Sequence, residues 1–104
     1  MLREIDFQEL KSLVESGSTF LLDIYASWCH PCRLLDRELE KVSADLPELE
    51  ILRIDFDRDT GLTDYLGIGS LPYLILFISG KRAAKAKGFH RSDFILEEIR
   101  QAGL

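Results

Sequence analysis

Cysteine, tryptophan and positive charge are all scarce in this sequence. Its 104 residues contain two cysteines, too few for the disulfide framework of a small secreted domain. Acidic residues outnumber basic ones by 18 to 13, and the net charge of −5 argues against a nucleic-acid partner. No apolar run is long enough to span a bilayer, and MLREIDFQEL lacks the apolar core of a signal peptide. We expect a cytoplasmic protein with no membrane partner; a periplasmic one would require a removed leader.

The residues that are abundant predict one folded domain over residues 1–104. Hydrophobic residues make up 46% of the chain and charged residues 30%, as in ordinary globular proteins. Periodicity and glycine signals predict the order helix, strand, helix, strand, helix, strand, strand, helix. The predicted strands cover 19–25, 50–56, 71–78 and 82–89, with a short edge strand at 2–5. The predicted helices cover 6–17, about 31–46, 60–69 and 92–104, the last with Ser92 as N-cap.

This order predicts an α/β fold with a mixed central sheet of four to five strands and helices on both faces. Two nearly all-apolar strands joined by a helix indicate a parallel unit, and the turn at Gly80 adds an antiparallel hairpin. Ligands of such sheets bind at the carboxyl ends of the parallel strands. Both cysteines follow the first buried strand and are therefore expected at that end.

The segment SWCHPC holds the only tryptophan and both cysteines. Cys29 falls just before the predicted second helix and Cys32 within its first turn. The unpaired N–H groups of a helix start favour a thiolate, which is the nucleophilic form of cysteine. Pro31 suits the first helical position, where no backbone donor is needed. The pattern favours reversible dithiol–disulfide exchange, in which one thiol attacks and the other resolves the mixed disulfide.

Two other interpretations of the cysteines are a metal site and incidental packing. A structural zinc ion needs four ligands, and His30, held between the cysteines, is badly placed to join a tetrahedron with His90. No metal site is therefore predicted. The cysteines could also be two small hydrophobic residues, although a C-x-x-C pair after a strand in a βαβ pattern is typical of redox proteins.

The charged residues of the second helix are predicted to form a solvated face: Arg33, Asp36, Arg37, Glu38 and Lys41.

Over essentially its whole length, the chain resembles the thioredoxin family. DIYASWCHPCR is similar to the family's active-site stretch, and GIGSLPYLILF to its cis-proline segment. The resemblance implies the thioredoxin fold, with Cys29 attacking, Cys32 resolving and Asp23 as the buried aspartate that relays protons. Asp23 has support of its own, since it is the only charged residue in TFLLDIYA, and an isolated buried carboxylate is costly.

The resemblance also implies a surface for protein substrates. Pro72 matches the cis-proline beside the disulfide, and the backbone of Leu71 would pair with an extended substrate segment, as in strand addition. The docking surface implied by the family is apolar and comprises Trp28, Pro31, Leu71, Gly88 and Phe89.

Three residues depart from the family pattern, and the third, Arg37, stands about where many members have a helix-kinking proline. His30 stands where glycine is usual, and a partly protonated imidazole beside Cys29 would stabilise its thiolate. We expect a reduction potential above thioredoxin's roughly −270 mV and below the roughly −120 mV of the periplasmic oxidase. Arg53 stands where the family has a lysine that partners the aspartate, and arginine would hold Asp23 ionised more firmly.

These observations predict a monomeric thiol–disulfide oxidoreductase that reduces protein disulfides. It would need no cofactor beyond the Cys29–Cys32 pair and would receive electrons from a thioredoxin reductase or an equivalent donor. A disulfide isomerase or oxidase, favoured by His30, and a reductant dedicated to one partner remain alternatives. A peptide-binding adaptor without turnover is a further alternative, which the intact cysteines and Asp23 disfavour.

Overall fold

Five strands form one mixed sheet in the computed structural model, which describes residues 2–59 and 61–104. Met1, which begins the predicted domain, and Thr60, which begins the predicted third helix, lie outside the described residues. The strands are β1 (Leu2–Glu4), β2 (Phe20–Tyr25), β3 (Glu50–Asp55), β4 (Tyr73–Ile78) and β5 (Lys81–Lys87). The helices are α1 (Phe7–Glu15), α2 (His30–Asp45), α3 (Leu62–Leu66) and α4 (Ser92–Gln101).

The strands lie in the order β1-β3-β2-β4-β5. β3 runs parallel to both β1 and β2, whereas β4 is antiparallel to β2 and to β5. The predicted mixed α/β sheet, including its short edge strand at the start of the chain, is confirmed. β2 is hydrogen-bonded on both sides, so the segment that follows it, which contains the cysteines, begins at the middle of the sheet. In the described ranges, no helix combines the length and apolarity needed to cross a membrane.

Alternate residues of β2 enter two separate hydrophobic clusters. Phe20, Leu22 and Ile24 pack with residues of α1 and α3 on one face. Leu21 packs on the other face with residues of α2 and α4. The side-chain alternation of a strand therefore directs Asp23 toward the face that α2 covers.

The hairpin between β4 and β5 turns on Ser79 and Gly80. Both have positive φ, 53° and 78°, which fits the two-residue turns that match the twist of a hairpin. A Cβ on residue 80 would lie 2.5 Å from the carbonyl oxygen of Val14. Glycine is therefore required there both for its backbone conformation and for the close approach of α1.

The predicted N-cap of the last helix is wrong. Ser92 is the first residue of α4, the cap position falls on Arg91, and no side chain of that residue caps the helix. Instead, the Glu38 carboxylate on α2 accepts a hydrogen bond of 2.8 Å from the Ser92 backbone N–H. An anionic group suits a helix N-terminus. Glu38 therefore links α2 to α4 and is not merely part of a solvated face.

Candidate active site

The two cysteines lie where β2 gives way to α2. Cys29 is the N-cap of α2, and its Sγ accepts from the backbone N–H of Cys32 at 3.3 Å. The two are joined as a disulfide with a Cα–Cα distance of 5.3 Å, and both side chains are buried, 5% and 1% exposed. Pro31 is the second residue of α2, one position later than predicted, and still lies in the first turn. The sulfurs therefore sit against the positive end of a helix dipole.

The Leu71–Pro72 segment lies beside this disulfide. Leu71 packs against the small cluster formed by Ala26, Cys29 and Cys32, and its peptide bond to Pro72 is cis. The Pro72 carbonyl accepts from the backbone N–H of Gly88 at 2.8 Å. Gly88 has φ +79°, a conformation that favours glycine. Leu71 thus contacts the cysteines from a distant part of the sequence, and the hydrogen bond from Gly88 ties the end of β5 to the same segment.

Three further predicted site residues are exposed to solvent. Trp28 is 66% exposed and Phe89 41% exposed, and His30 is exposed at the first position of α2. Large apolar side chains that are open to solvent suit contact with another protein. His90 stacks on Phe94 with ring centroids 4.3 Å apart.

The tryptophan is held by an aspartate that sequence reasoning missed. Trp28 Nε1 donates to Asp57 Oδ2 at 2.6 Å, and the Asp57 backbone N–H donates to Asp55 Oδ1 at 2.9 Å. Asp57 follows β3, the parallel neighbour of β2. Its position at the carboxyl end of a parallel strand was the available signal, since such ends meet at one edge of a sheet.

Asp23 is fully buried at the centre of β2. Burial raises the pKa of its carboxyl group from 3.8 to about 7, against the lowering effect of the Arg53 guanidinium, and the charge of Asp36 raises it further. Arg53 Nε lies 3.4 Å from Asp23 Oδ2, and no donor in the described part of the chain is bonded to Oδ1. Asp23 is therefore a poorly solvated carboxyl group that exchanges its proton near neutral pH.

Arg53 is the Cα partner of Asp23 across the β2–β3 pair. Its Nη2 also lies 3.0 Å from Asp36 Oδ1, and its guanidinium carbon lies 4.0 Å from the centre of the Tyr25 ring. Placing Asp36 in a solvated face was therefore wrong, because that side chain is only 34% exposed and meets Arg53. The available signal was its spacing of four from Cys32, which puts both on one face of α2.

Tyr25 closes this network on the side of β1. Its hydroxyl donates to the Glu4 carboxylate, 2.8 Å from each oxygen. Burial and this hydrogen bond to Glu4 raise the pKa of the Tyr25 hydroxyl to about 12. The tyrosine thus stays protonated at physiological pH, and its ring gives the Arg53 guanidinium a fixed surface.

The geometry around the cysteines does not resemble a metal centre. Among residues 2–59 and 61–104, no group of three or more histidine, cysteine, aspartate or glutamate side chains could hold a metal ion. A disulfide at a helix start, a cis-proline segment against it and a buried carboxyl group on the preceding strand are instead the parts of a thiol–disulfide exchange site.

Comparison with known proteins agrees with this class of site. The family model Thioredoxin matches residues 2–101. The thioredoxin of Chlamydia trachomatis serovar D is 31% identical over 99 residues, covering 95% of this chain and 96% of the relative. That of Chlamydia pneumoniae is 33% identical over 99 residues, with the same coverage of 95% and 96%. The chain belongs to the thioredoxin family, whose members reduce protein disulfides.

Solved structures agree at the level of the fold. Chloroplastic thioredoxin z superposes with a TM-score of 0.85 at 31% identity, covering 97% of this chain and 93% of that one. The thioredoxin of Trypanosoma brucei brucei superposes with a TM-score of 0.87 at 19% identity, covering 97% and 89%. The predicted thioredoxin fold and the predicted thiol–disulfide oxidoreductase class are both confirmed.

Proposed function

We propose that this thioredoxin-family protein is a general reductant of protein disulfides, with Cys29 as the attacking residue and Cys32 as the resolving one. The observation that carries the proposal is the cysteine pair at the start of α2 with the buried Asp23 carboxyl on the adjoining strand. The more exposed of the two sulfur-bearing residues, Cys29, is also the N-cap, where the helix dipole stabilises a thiolate most directly.

In the first step, the Cys29 thiolate of the reduced protein attacks one sulfur of a substrate disulfide. A bond forms between the Cys29 Sγ and that sulfur, the substrate S–S bond breaks, and the other substrate sulfur leaves as a thiolate. The substrate segment would lie along Leu71 and Pro72, where backbone pairing positions it. Trp28 and Phe89 would cover it from the open side.

In the second step, Cys32 resolves the mixed disulfide. Its thiol gives a proton to the Asp23 carboxylate, and the resulting thiolate attacks the Cys29 Sγ. The Cys29–Cys32 disulfide forms, the substrate leaves as its second thiolate, and two electrons have passed to the substrate. A carboxyl group whose pKa is raised to about 7 by burial can both take this proton and release it afterwards.

Several further features belong to the same proposal. The protein would act as one domain and as a monomer in the cytoplasm, with the cysteine pair as its only redox group. A reductase that uses a nicotinamide or ferredoxin donor would return the two electrons. A reductant dedicated to one partner would use the same chemistry, with its choice of substrate set by surface charge.

Insulin reduction tests this proposal. With a small dithiol as electron donor, the protein should accelerate the turbidity that follows reduction of the insulin disulfides, well above the rate with the dithiol alone. Heat-denatured protein at the same concentration is the control for thiol content. No acceleration over the donor would favour a peptide-binding adaptor that keeps the fold without turnover.

The alternative of a disulfide isomerase or oxidase depends on His30. We expect His30→Gly to lower the reduction potential by on the order of 30 mV, because the charge next to the Cys29 thiolate is lost. The potential is measured by equilibration with glutathione, with Trp28 fluorescence as the readout.

His30→Gln is the matched variant, since it keeps a polar side chain and never carries a positive charge. It should lower the potential as His30→Gly does, because neither variant places a positive charge beside the Cys29 sulfur. A wild-type potential at or below thioredoxin's roughly −270 mV would contradict the tuning role of His30.

A further inference from the structure

One guanidinium group is shared by two carboxylates at the start of α2. Arg53 Nε lies 3.4 Å from Asp23 Oδ2, and its Nη2 lies 3.0 Å from Asp36 Oδ1. The three side chains are 22%, 0% and 34% exposed for Arg53, Asp23 and Asp36. One positive charge cannot neutralise two carboxylates, so full ionisation would leave a negative charge in a largely buried place.

Neither carboxylate has the paired, parallel contacts that arginine can give. The Asp23 contact uses the single Nε–H group and is long, and within the described residues no donor is hydrogen-bonded to Asp23 Oδ1. The contact between Arg53 Nη2 and Asp36 Oδ1 is an ion pair that lacks the alignment of a hydrogen bond. A two-pronged arginine–carboxylate pair would be shorter and would satisfy both oxygens. The guanidinium is therefore divided between the carboxylates, and Asp23 receives less than arginine could supply.

Two other side chains restrict where the guanidinium can lie. The Tyr25 ring is 4.0 Å from the guanidinium carbon, and the Tyr25 hydroxyl is fixed by the Glu4 carboxylate on β1. With that side occupied, the end of Arg53 points to α2, where Asp36 stands. Asp36 follows Cys32 by four residues on the same helix face. The group that draws Arg53 outward is therefore on the same helix as the resolving cysteine.

We propose that Asp36 is a positioning residue that holds the Arg53 guanidinium away from full pairing with Asp23, so that the buried carboxyl can exchange a proton with Cys32. The inference rests on the proposed function for its role in turnover. It also changes the expectation for arginine at position 53. Arginine alone would keep Asp23 ionised, whereas Asp36 competes for the same cation and offsets that effect.

The charged and titratable groups around Asp23 come from four elements. They are Arg53 on β3, Asp36 on α2 with Cys32 one turn before it, Glu4 on β1, and Tyr25 on β2 itself. The neighbour from β4 is apolar Leu74. Of the two neighbouring carboxylates, Asp36 is the one that contacts Arg53. Removing the charge of Asp36 should therefore change the protonation of Asp23 both directly and through the guanidinium.

The test is a titration of the Asp23 side-chain carboxyl carbon by ¹³C NMR in the oxidised full-length protein. Asp36→Asn should lower the midpoint by on the order of one pH unit, because Arg53 is released to pair with Asp23. Asp45→Asn is the matched control, since it removes the same charge from the exposed far end of α2 and should leave the midpoint unchanged.

A midpoint in Asp36→Asn that equals or exceeds that of the wild type overturns the proposal. Asp36→Ala provides a second variant, without an amide that could form new hydrogen bonds, and should shift the midpoint in the same direction. Asp36→Glu should return it toward the wild-type value, because the longer carboxylate can still reach Arg53. Failure of this rescue, or an unmoved midpoint in Asp36→Ala, would also overturn it.

The kinetic counterpart is the pH dependence of insulin reduction. Asp36→Asn should have a several-fold lower maximal rate and should keep a larger fraction of that maximum at pH 6 than the wild type does. A change in the pH dependence of insulin reduction without a change in the Asp23 titration midpoint would count against the inference. Because the titration needs no substrate, loss of the proposed reductase activity and loss of this coupling are separate results.

Discussion

Cys32→Ser should convert the protein from a catalyst into a trap for its substrates. Cys29 can still attack, but no second thiol is present to displace the substrate, so the mixed disulfide accumulates. Insulin turnover should fall to the rate of the small dithiol alone. Non-reducing electrophoresis detects the mixed disulfides, and identification of the trapped partners after reduction shows which proteins are substrates.

Cys29→Ser is the matched variant for this experiment. It removes the same atom from the other end of a C-x-x-C pair whose members are both buried, and it should neither turn over insulin nor trap partners. Equal trapping by the two variants would show that the attacking and resolving roles are assigned wrongly. Since serine and cysteine are nearly equal in size, a difference between the variants reports chemistry and not packing.

Asp23→Asn should stabilise the oxidised protein at alkaline pH. The pKa of Asp23 is raised by burial from 3.8 to about 7, so the folded state binds its proton more tightly than the unfolded state. The stability contributed by that proton is fully present below about pH 4 and is lost as the pH rises through about 7. A pKa shift of this size corresponds to a loss of at most about 4 kcal/mol in the free energy of unfolding.

Urea unfolding of the oxidised wild type and Asp23→Asn measures this effect. The two proteins should have similar free energies of unfolding near pH 4, where Asp23 is protonated. As the pH rises to 8, the free energy of unfolding of the variant should increase relative to that of the wild type. Asp45→Asn, exposed near the end of α2, should show no such pH-dependent gain. A wild type that becomes more stable relative to Asp23→Asn as the pH rises would contradict a raised pKa.

The same substitution should slow turnover while it stabilises the fold. Asparagine cannot take the proton of Cys32, so mixed disulfides should be resolved more slowly in Asp23→Asn. Gain of stability with loss of activity in one variant is the behaviour expected of a buried functional charge. The carboxyl at position 23 is thus retained at a cost to stability that an amide would avoid.

Much of the fold could be predicted because the hydrophobic pattern is locally consistent. The apolar runs of β2 and β4 indicate buried strands, and the i, i+4, i+7 spacing of Leu35, Leu39 and Val42 marks the buried face of α2. All three of these helix residues are fully buried. The helix start at the cysteines and the turn at Gly80 were also visible, because capping and turn residues act over short distances in the chain.

The errors fall on polar side chains whose partners are far away in sequence. Glu38 caps α4 from 54 residues away, and Asp57 holds Trp28 from 29 residues away. Periodicity reports whether a position faces the core or the solvent, but it does not report which other polar group lies opposite. Asp36, predicted as solvated, is the example with the most consequence for the proposed chemistry.

The sequence by itself determined the class of chemistry, because a thiol pair at a helix start and a lone aspartate in an apolar strand are local features. Only the tertiary structure decided how that aspartate is charged. Its proton depends on the pairing of β2 with β3, which sets Arg53 beside it, and on the packing of α2, which brings Asp36 to the same guanidinium. Electrostatic energies depend on distances through space and on burial, and both arise only when the chain has folded.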